Sequence, residues 1–298
     1  MSDNLPGVAR ADDALLAELV VAGGSGTEDD RAAAIAAARL LPASVAGFLL
    51  RKNSRIVVCR GSITDFATEL AGEHPRGWPE GMTWDTVPGC FDTNRHKVLV
   101  ATRANPAGAR AIPPTGDGHG SVDLLLHETM HGHDFLKGHR ILKSDEFETA
   151  YRADFDRLGS YERQDGDAGR QEAYAESAAR VFGNDTGVAD AWPGLTGFWQ
   201  AIDASELELP GGAEPPPAEL DLRPDRPIGT AEFAADGTLH LDLRAENGHG
   251  MIGHASFTLA PGTVGHARAL DRLRSADPDG DATVALRAGQ TLLVAPFD

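Results

Sequence analysis

Cysteine is scarce. With only Cys59 and Cys90 in 298 residues, neither a disulfide framework nor a cysteine-built zinc cage organises this chain. Positive charge is also short: 27 Lys and Arg face 45 Asp and Glu, a formal charge of −18. That balance argues against binding to a nucleic-acid backbone or an anionic membrane surface, and no nucleic-acid partner is expected. No run reaches the roughly 18 apolar residues that a membrane span needs. The longest apolar stretch, 32–50, is broken by Arg39. The opening MSDNLPGVARADD has no apolar segment of a signal peptide, so the default expectation is cytoplasmic, with export by a specialised route compatible. Aromatics make up only 6%, yet 41% hydrophobic residues suffice for a packed core.

Periodicity organises what is present. Residues 11–21 and the Ala-rich 29–41 read as helices, stopped by Gly23-Gly24 and Pro42. RIVVCR (55–60) and KVLVATR (97–103) read as strands. Residues 72–90, rich in Pro, Gly and Trp, and 104–120, with four Gly and three Pro, read as loops. Ser121 is positioned to cap the helix that runs to about Leu136. Helices are expected over 145–158 and 170–182. Six prolines fall within 209–228, a linker composition. Beyond it come TAEFA, an Asp236-Gly237 hairpin turn, TLHLDLRA, SFTLA, a short helix near 265–274 and TVALRAGQTLLVA.

One stretch carries chemistry: His127-Glu128-Thr129-Met130-His131. Residues i and i+4 share a helix face, so both imidazoles can address one ion. Glu128 can reach a water on that ion and take its proton. A third ligand is required. Asp134 and Lys137 occupy the positions where a Gly and a His would continue a longer motif, so the ligand must come from elsewhere. Glu172 and Glu176 share one face of the 170–182 helix, with 40 residues between His131 and Glu172, and spacing alone leaves both open. The competing reading makes the histidines buried structural residues and the glutamates a solvated face. His133, two residues from a ligand, points away, and His139 suits a solvated loop. Trp78 and Trp84 suit loop packing. Asp277, Asp279 and Asp281 lack EF-hand spacing and suit a turn. The two cysteines are expected to be free, and Cys90 is not expected to reach a metal.

The pieces GSITD (61–65), PRGW (75–78), TWDTVPG (83–89), LHETMHGHD (126–134) and EAYAESAARVF (172–182) occur in order. Over about 40–200 the chain resembles the anthrax lethal factor catalytic domain and the Pro-Pro endopeptidases. That resemblance implies a zinc endopeptidase holding one Zn2+ through His127, His131 and Glu172, with Glu128 as general base. It implies Glu176 and Asp134 beside the ligands, Asp134 matching an acidic position after the motif. It also implies a tyrosine that donates to the oxyanion. Tyr161 is the match, although its eleven-residue spacing to Glu172 is longer than the family's and includes the insert QDGDAG; Tyr174 is the alternative.

The expected fold is α+β: a zincin-like domain over 1–208 with a small mixed sheet and active-site helices. A Pro-rich linker (209–228) and a small β-rich module of its own (229–298) follow. The expected partner is a protein or peptide substrate, extended along the edge of the 97–103 strand. A delivered effector or toxin is one variant of this reading. A non-catalytic zinc-binding module whose C-terminal part mediates interaction is the alternative.

Overall fold

The computed structural model describes residues 8–164, 166–209, 228–247, 251–275 and 291–294. Its strands are Val20–Ala22 (β1), Arg55–Arg60 (β2), Gly89–Asp92 (β3), Lys97–Ala104 (β4), Arg110–Ala111 (β5), Gly229–Phe233 (β6), Leu239–Glu246 (β7), Met251–Leu259 (β8) and Thr291–Val294 (β9). Its helices are Asp13–Leu19 (α1), Glu28–Ala38 (α2), Ala43–Arg51 (α3), Leu124–Leu136 (α4), Asp145–Asp154 (α5), Asp167–Phe182 (α6), Val188–Ala191 (α7), Pro193–Ala201 (α8), Ala204–Glu208 (α9) and Val264–Ser275 (α10). Among the described residues the strands form one mixed sheet in the order β1-β2-β4-β3-β8-β7-β6-β9, with β5 against β4. The α+β class expected from the sequence is what the structure has.

The apolar runs of β2 and β4 pair in parallel, from Arg55 opposite Lys97 to Arg60 opposite Thr102. Both lie inside the sheet, which is why they read as continuous rather than alternating apolar stretches. Their side chains alternate between two cores. Ile56, Val58, Val98 and Val100 join one core with Phe91 and the helices. Val57, Cys59, Leu99 and Ala101 join the other with Cys90, Trp78 and Trp84. The β4 edges are therefore occupied, by β2 on one side and β3 on the other. This corrects the expectation that 97–103 offers a free edge to a peptide.

Local chemistry shifts several boundaries. The first helix stops at Leu19 because the β-branched Val20 and Val21 pair with Ile56 and Val57. Asp123, not Ser121, caps α4, accepting from the Leu126 amide at 3.0 Å. The helix expected over 145–158 ends at Asp154 and tightens into one 3-10 turn. The third helix of the series, α6, begins at Asp167, inside the insert before Glu172.

The C-terminal strands do not build a sheet of their own. β8 lies antiparallel to β3, with Cys90 opposite Gly253, Phe91 opposite Ile252 and Asp92 opposite Met251. Leu239, Leu241, Leu243, Ala245, Met251 and Ala255 share the second core with Trp78, Cys90 and Leu99. The Trp78 indole donates to the Arg244 carbonyl at 2.9 Å. Among the described residues the expected independent module over 229–298 is thus corrected: its alternating apolar face packs on Ala269 and Leu273 of α10 and also on Trp78, Cys90 and Leu99 from the N-terminal part, in one shared core. The hairpin turn at Asp236-Gly237 is present, with Gly237 at φ +86°. The linker at 210–227, the acidic turn at 277–281 and most of the last expected strand lie outside the described residues.

Candidate metal centre

Helix α4 packs across the sheet because small residues let it approach. Gly132 faces the Phe91 ring, where a Cβ would stand 2.8 Å from ring carbons. A Cβ at Gly89 would stand 2.9 Å from Glu128 Cγ. This contact holds Glu128 against β3, fully buried. One turn of helix brings His127 and His131 together, with ring centroids 4.6 Å apart and Nε2 atoms 3.0 Å apart. From α6, Glu172 Oε2 stands 3.4 Å from His127 Nε2 and 3.3 Å from His131 Nε2.

Glu176, one turn after Glu172, accepts from His127 Nδ1 at 3.1 Å, from the Ser121 hydroxyl at 2.6 Å and from the Val122 amide at 3.1 Å. Arg180 Nε donates at 3.0 Å to the oxygen that the Val122 amide also bonds. Burial alone would raise its pKa, but His127, Ser121 and Arg180 hold it below the usual carboxylate range. An ionised Glu176 keeps the proton of His127 on Nδ1 and turns the Nε2 lone pair toward Glu172. Ser121 thus serves Glu176 rather than the helix start.

Two participants come from the C-terminal strands β7 and β8. Alternation along β8 sends Met251 and Ala255 into the second core and His254 to the opposite face. His254 Nε2 lies 2.5 Å from His127 Nε2, 3.2 Å from Glu128 Oε1 and 3.8 Å from Glu172 Oε2. On β7, alternation sends Arg244 the same way. Its buried guanidinium reaches Glu172 Oε1 at 3.2 Å and Glu246 Oε1 at 2.5 Å. Only a histidine flanked by the small Gly253 and Ala255 marks this position in the sequence, and such a pattern does not name its partner.

His127, His131, Glu172 and His254 each offer one atom, all within 4.8 Å of one another. Three imidazole nitrogens and a carboxylate oxygen meet there, and Glu172 Oε2 makes no hydrogen bond. Such a donor set fits a divalent cation of the borderline kind that takes nitrogen and oxygen ligands. Burial pushes His254 well below its ordinary pKa, leaving the neutral, ligating form. Burial opposes ionisation of Glu172, yet the surrounding imidazoles together hold it well below the usual range. Glu128 sits at the edge of the cluster. Neither of its oxygens makes a hydrogen bond, and burial pushes its pKa up to about 8.

The remaining sequence candidates divide. Tyr161 is brought in: its ring lies 5.8 Å from that of His254, and its buried hydroxyl has no partner among the described residues. Burial raises its pKa well above the ordinary phenol, so it stays an O–H donor. Tyr174 is not brought in. It packs on Trp199, and its hydroxyl meets His133 Nδ1 at 3.0 Å, while His133 Nε2 meets the Leu207 carbonyl at 2.9 Å. Asp134, expected near the ligands, instead pairs with His139 Nδ1 at 2.6 Å in the turn that closes α4. His139 is therefore tied down rather than solvated. Cys59 and Cys90 are free and buried, and Cys90 faces the second core rather than the cluster.

Fold and site together define an α+β protein whose helices and sheet bring a His/Glu cluster of metal-ligand type together. A family model described as anthrax toxin lethal factor, N- and C-terminal domain, matches residues 14–186, more than half of the chain. The chain belongs to that family. A Pro-Pro endopeptidase from Paenibacillus alvei is 36% identical over 111 residues, 36% of this chain and 46% of the relative. Another, from Clostridioides difficile, is 32% identical over 115 residues, 38% of this chain and 47% of the relative. The chain thus spans about half the length of the curated relatives it matches. The solved structure of the Pro-Pro endopeptidase from Paenibacillus alvei aligns with a TM-score of 0.50 and 28% identity, over 65% of this chain and 99% of that one. The family match includes His127, Glu128, His131, Tyr161, Glu172 and Glu176, and stops before Arg244 and His254. No helix among the described residues is long and apolar enough to cross a membrane.

Proposed function

We propose that this chain is a zinc-dependent endopeptidase. The observation that carries the reading is the convergence of His127, His131 and Glu172 beside a buried Glu128 carboxylate without a hydrogen bond. Zinc, when bound, supplies Lewis acidity and makes water a nucleophile near neutral pH. His127, held by Glu176, together with His131 and Glu172, would hold it. Glu128 Oε takes a proton from the attacking water and delivers it to the leaving amine; a carboxyl raised by burial suits both transfers. The Tyr161 hydroxyl donates to the oxygen on which negative charge develops. The relatives' names make a bond between two prolines the first substrate class to offer.

The test joins metal content and cleavage. Purified protein should carry one zinc per chain by mass spectrometry, and Glu172→Ala should lose it. Glu128→Gln should keep the zinc and lower peptide cleavage about 10²–10⁴-fold. Tyr161→Phe should lower kcat about 10²–10³-fold with little change in KM. A peptide library that includes Pro-Pro bonds supplies the assay. Wild-type protein without zinc, or an active Glu128→Gln, would overturn the reading.

A further inference from the structure

The metal cluster has one donor too many for catalysis. Catalytic zinc sites keep three protein ligands and leave the fourth position to water, whereas four protein ligands make a closed, structural site. Here the fourth donor, His254, comes from β8, outside the family match over 14–186. β8 also fills the edge of β3, the strand that carries Gly89 against Glu128. An extended peptide adding itself to that edge would use the same main-chain groups. Resting on the peptidase reading above, we infer that β8 is a built-in occupant of the substrate cleft. Its His254 takes the metal position that the water needs, and the chain as folded is a latent enzyme.

The way β8 is held agrees with an occupant that can leave. It makes eight register pairs with β7, from Leu239 opposite Leu259 to Glu246 opposite Ile252. With β3 it makes three. The hairpin is therefore tied to itself more extensively than to the catalytic sheet. Close approach at those three pairs depends on Gly253, where a Cβ would stand 2.8 Å from Cys90 Cβ and from the Gly89 carbonyl. Trp78, packed edge-on against Phe257 and bonded to the Arg244 carbonyl, keeps the hairpin down. Arg244 stands opposite His254 in the β7–β8 register and is carried by the same hairpin. Activation therefore needs a partner, a cut or a competing strand that lifts β7–β8 from β3.

The experiment uses the full-length chain loaded with Co2+ in place of zinc, titrated with acetohydroxamate and followed by the visible absorption of the cobalt. Wild type should resist the ligand. His254→Ala should bind it with at least a tenfold lower half-saturation and should cleave peptides at least tenfold faster. Gly253→Val, which keeps His254 but forces β8 away from β3, should move the same way and serves if His254→Ala fails to fold. Equal acetohydroxamate binding by wild type and a folded variant would overturn the inference. So would cleavage that falls in His254→Ala, which would make His254 part of the catalytic machinery. Acetohydroxamate binding that rises in the variants with no peptide cleaved by any of them would support the occupant and sink the peptidase reading.

Discussion

Asp30 shows how much one carboxylate can organise. At the start of α2 it completes a capping box with Thr27, whose amide and hydroxyl donate to it at 2.8 and 2.7 Å. Its other oxygen accepts from the Thr102 hydroxyl and Arg110 Nε, both at 2.5 Å, tying α2 to the end of β4 and to β5. Burial alone would raise its pKa, but the bonds from Thr102, Thr27 and Arg110 outweigh that and hold it well below the ordinary carboxylate value. Asp30→Ala leaves Arg110 without its buried partner and should cost about 3–5 kcal/mol at pH 7 by urea denaturation. Because the folded-state pKa is depressed, this contribution is complete above the unfolded value of about 3.9 and fades as pH falls below it. The gap between wild type and Asp30→Ala should therefore begin to close below about pH 4. A gap unchanged from pH 7 to pH 3 would remove the charge from the explanation.

Between α4 and β3 the decisive contact is missing bulk. Alanine is a better helix former than glycine by about 1 kcal/mol. At Gly132, however, its Cβ would meet the Phe91 ring at 2.8 Å. Gly132→Ala should lower stability by about 1–3 kcal/mol despite the better propensity, a sign readable from thermal unfolding. At this scale much was legible in the sequence. The i, i+4 histidines fell on a helix because Leu124–Leu126 and Met130 give α4 an apolar surface. Glu172 and Glu176 fell on α6 for the same reason. What failed were decisions between competing partners. Ser121 looked like a cap, but Glu176, 55 residues away, takes its hydroxyl. The apolar run at 97–103 read correctly as a strand, but its continuous character, the mark of a central strand, outweighs the reading of it as an edge.

The molecule as a whole is joined through the cluster, where α4, α6 and β8 meet. A cation held by all three stabilises the folded chain in proportion to its affinity, by about 2.7 kcal/mol at a hundredfold excess over Kd. Chelation should accordingly lower the Tm of wild type by roughly 5–10 °C in calorimetry, and that of His254→Ala by less. His254 and Arg244 were invisible beforehand because their significance is long-range. His254 meets His127 across 127 residues of chain, and neither His254 nor Arg244 lies in a local motif. The Pro-rich composition at 209–228 suggested a boundary, and composition does not reveal that the strands after it return to the same sheet. That return has a kinetic side. Occupant and cleft belong to one polypeptide, so the strand's local concentration is a property of the chain, on the order of millimolar for a tethered segment. Dilution does not thin it. A micromolar peptide of equal intrinsic affinity is outcompeted by about a thousandfold, however little of the protein is present.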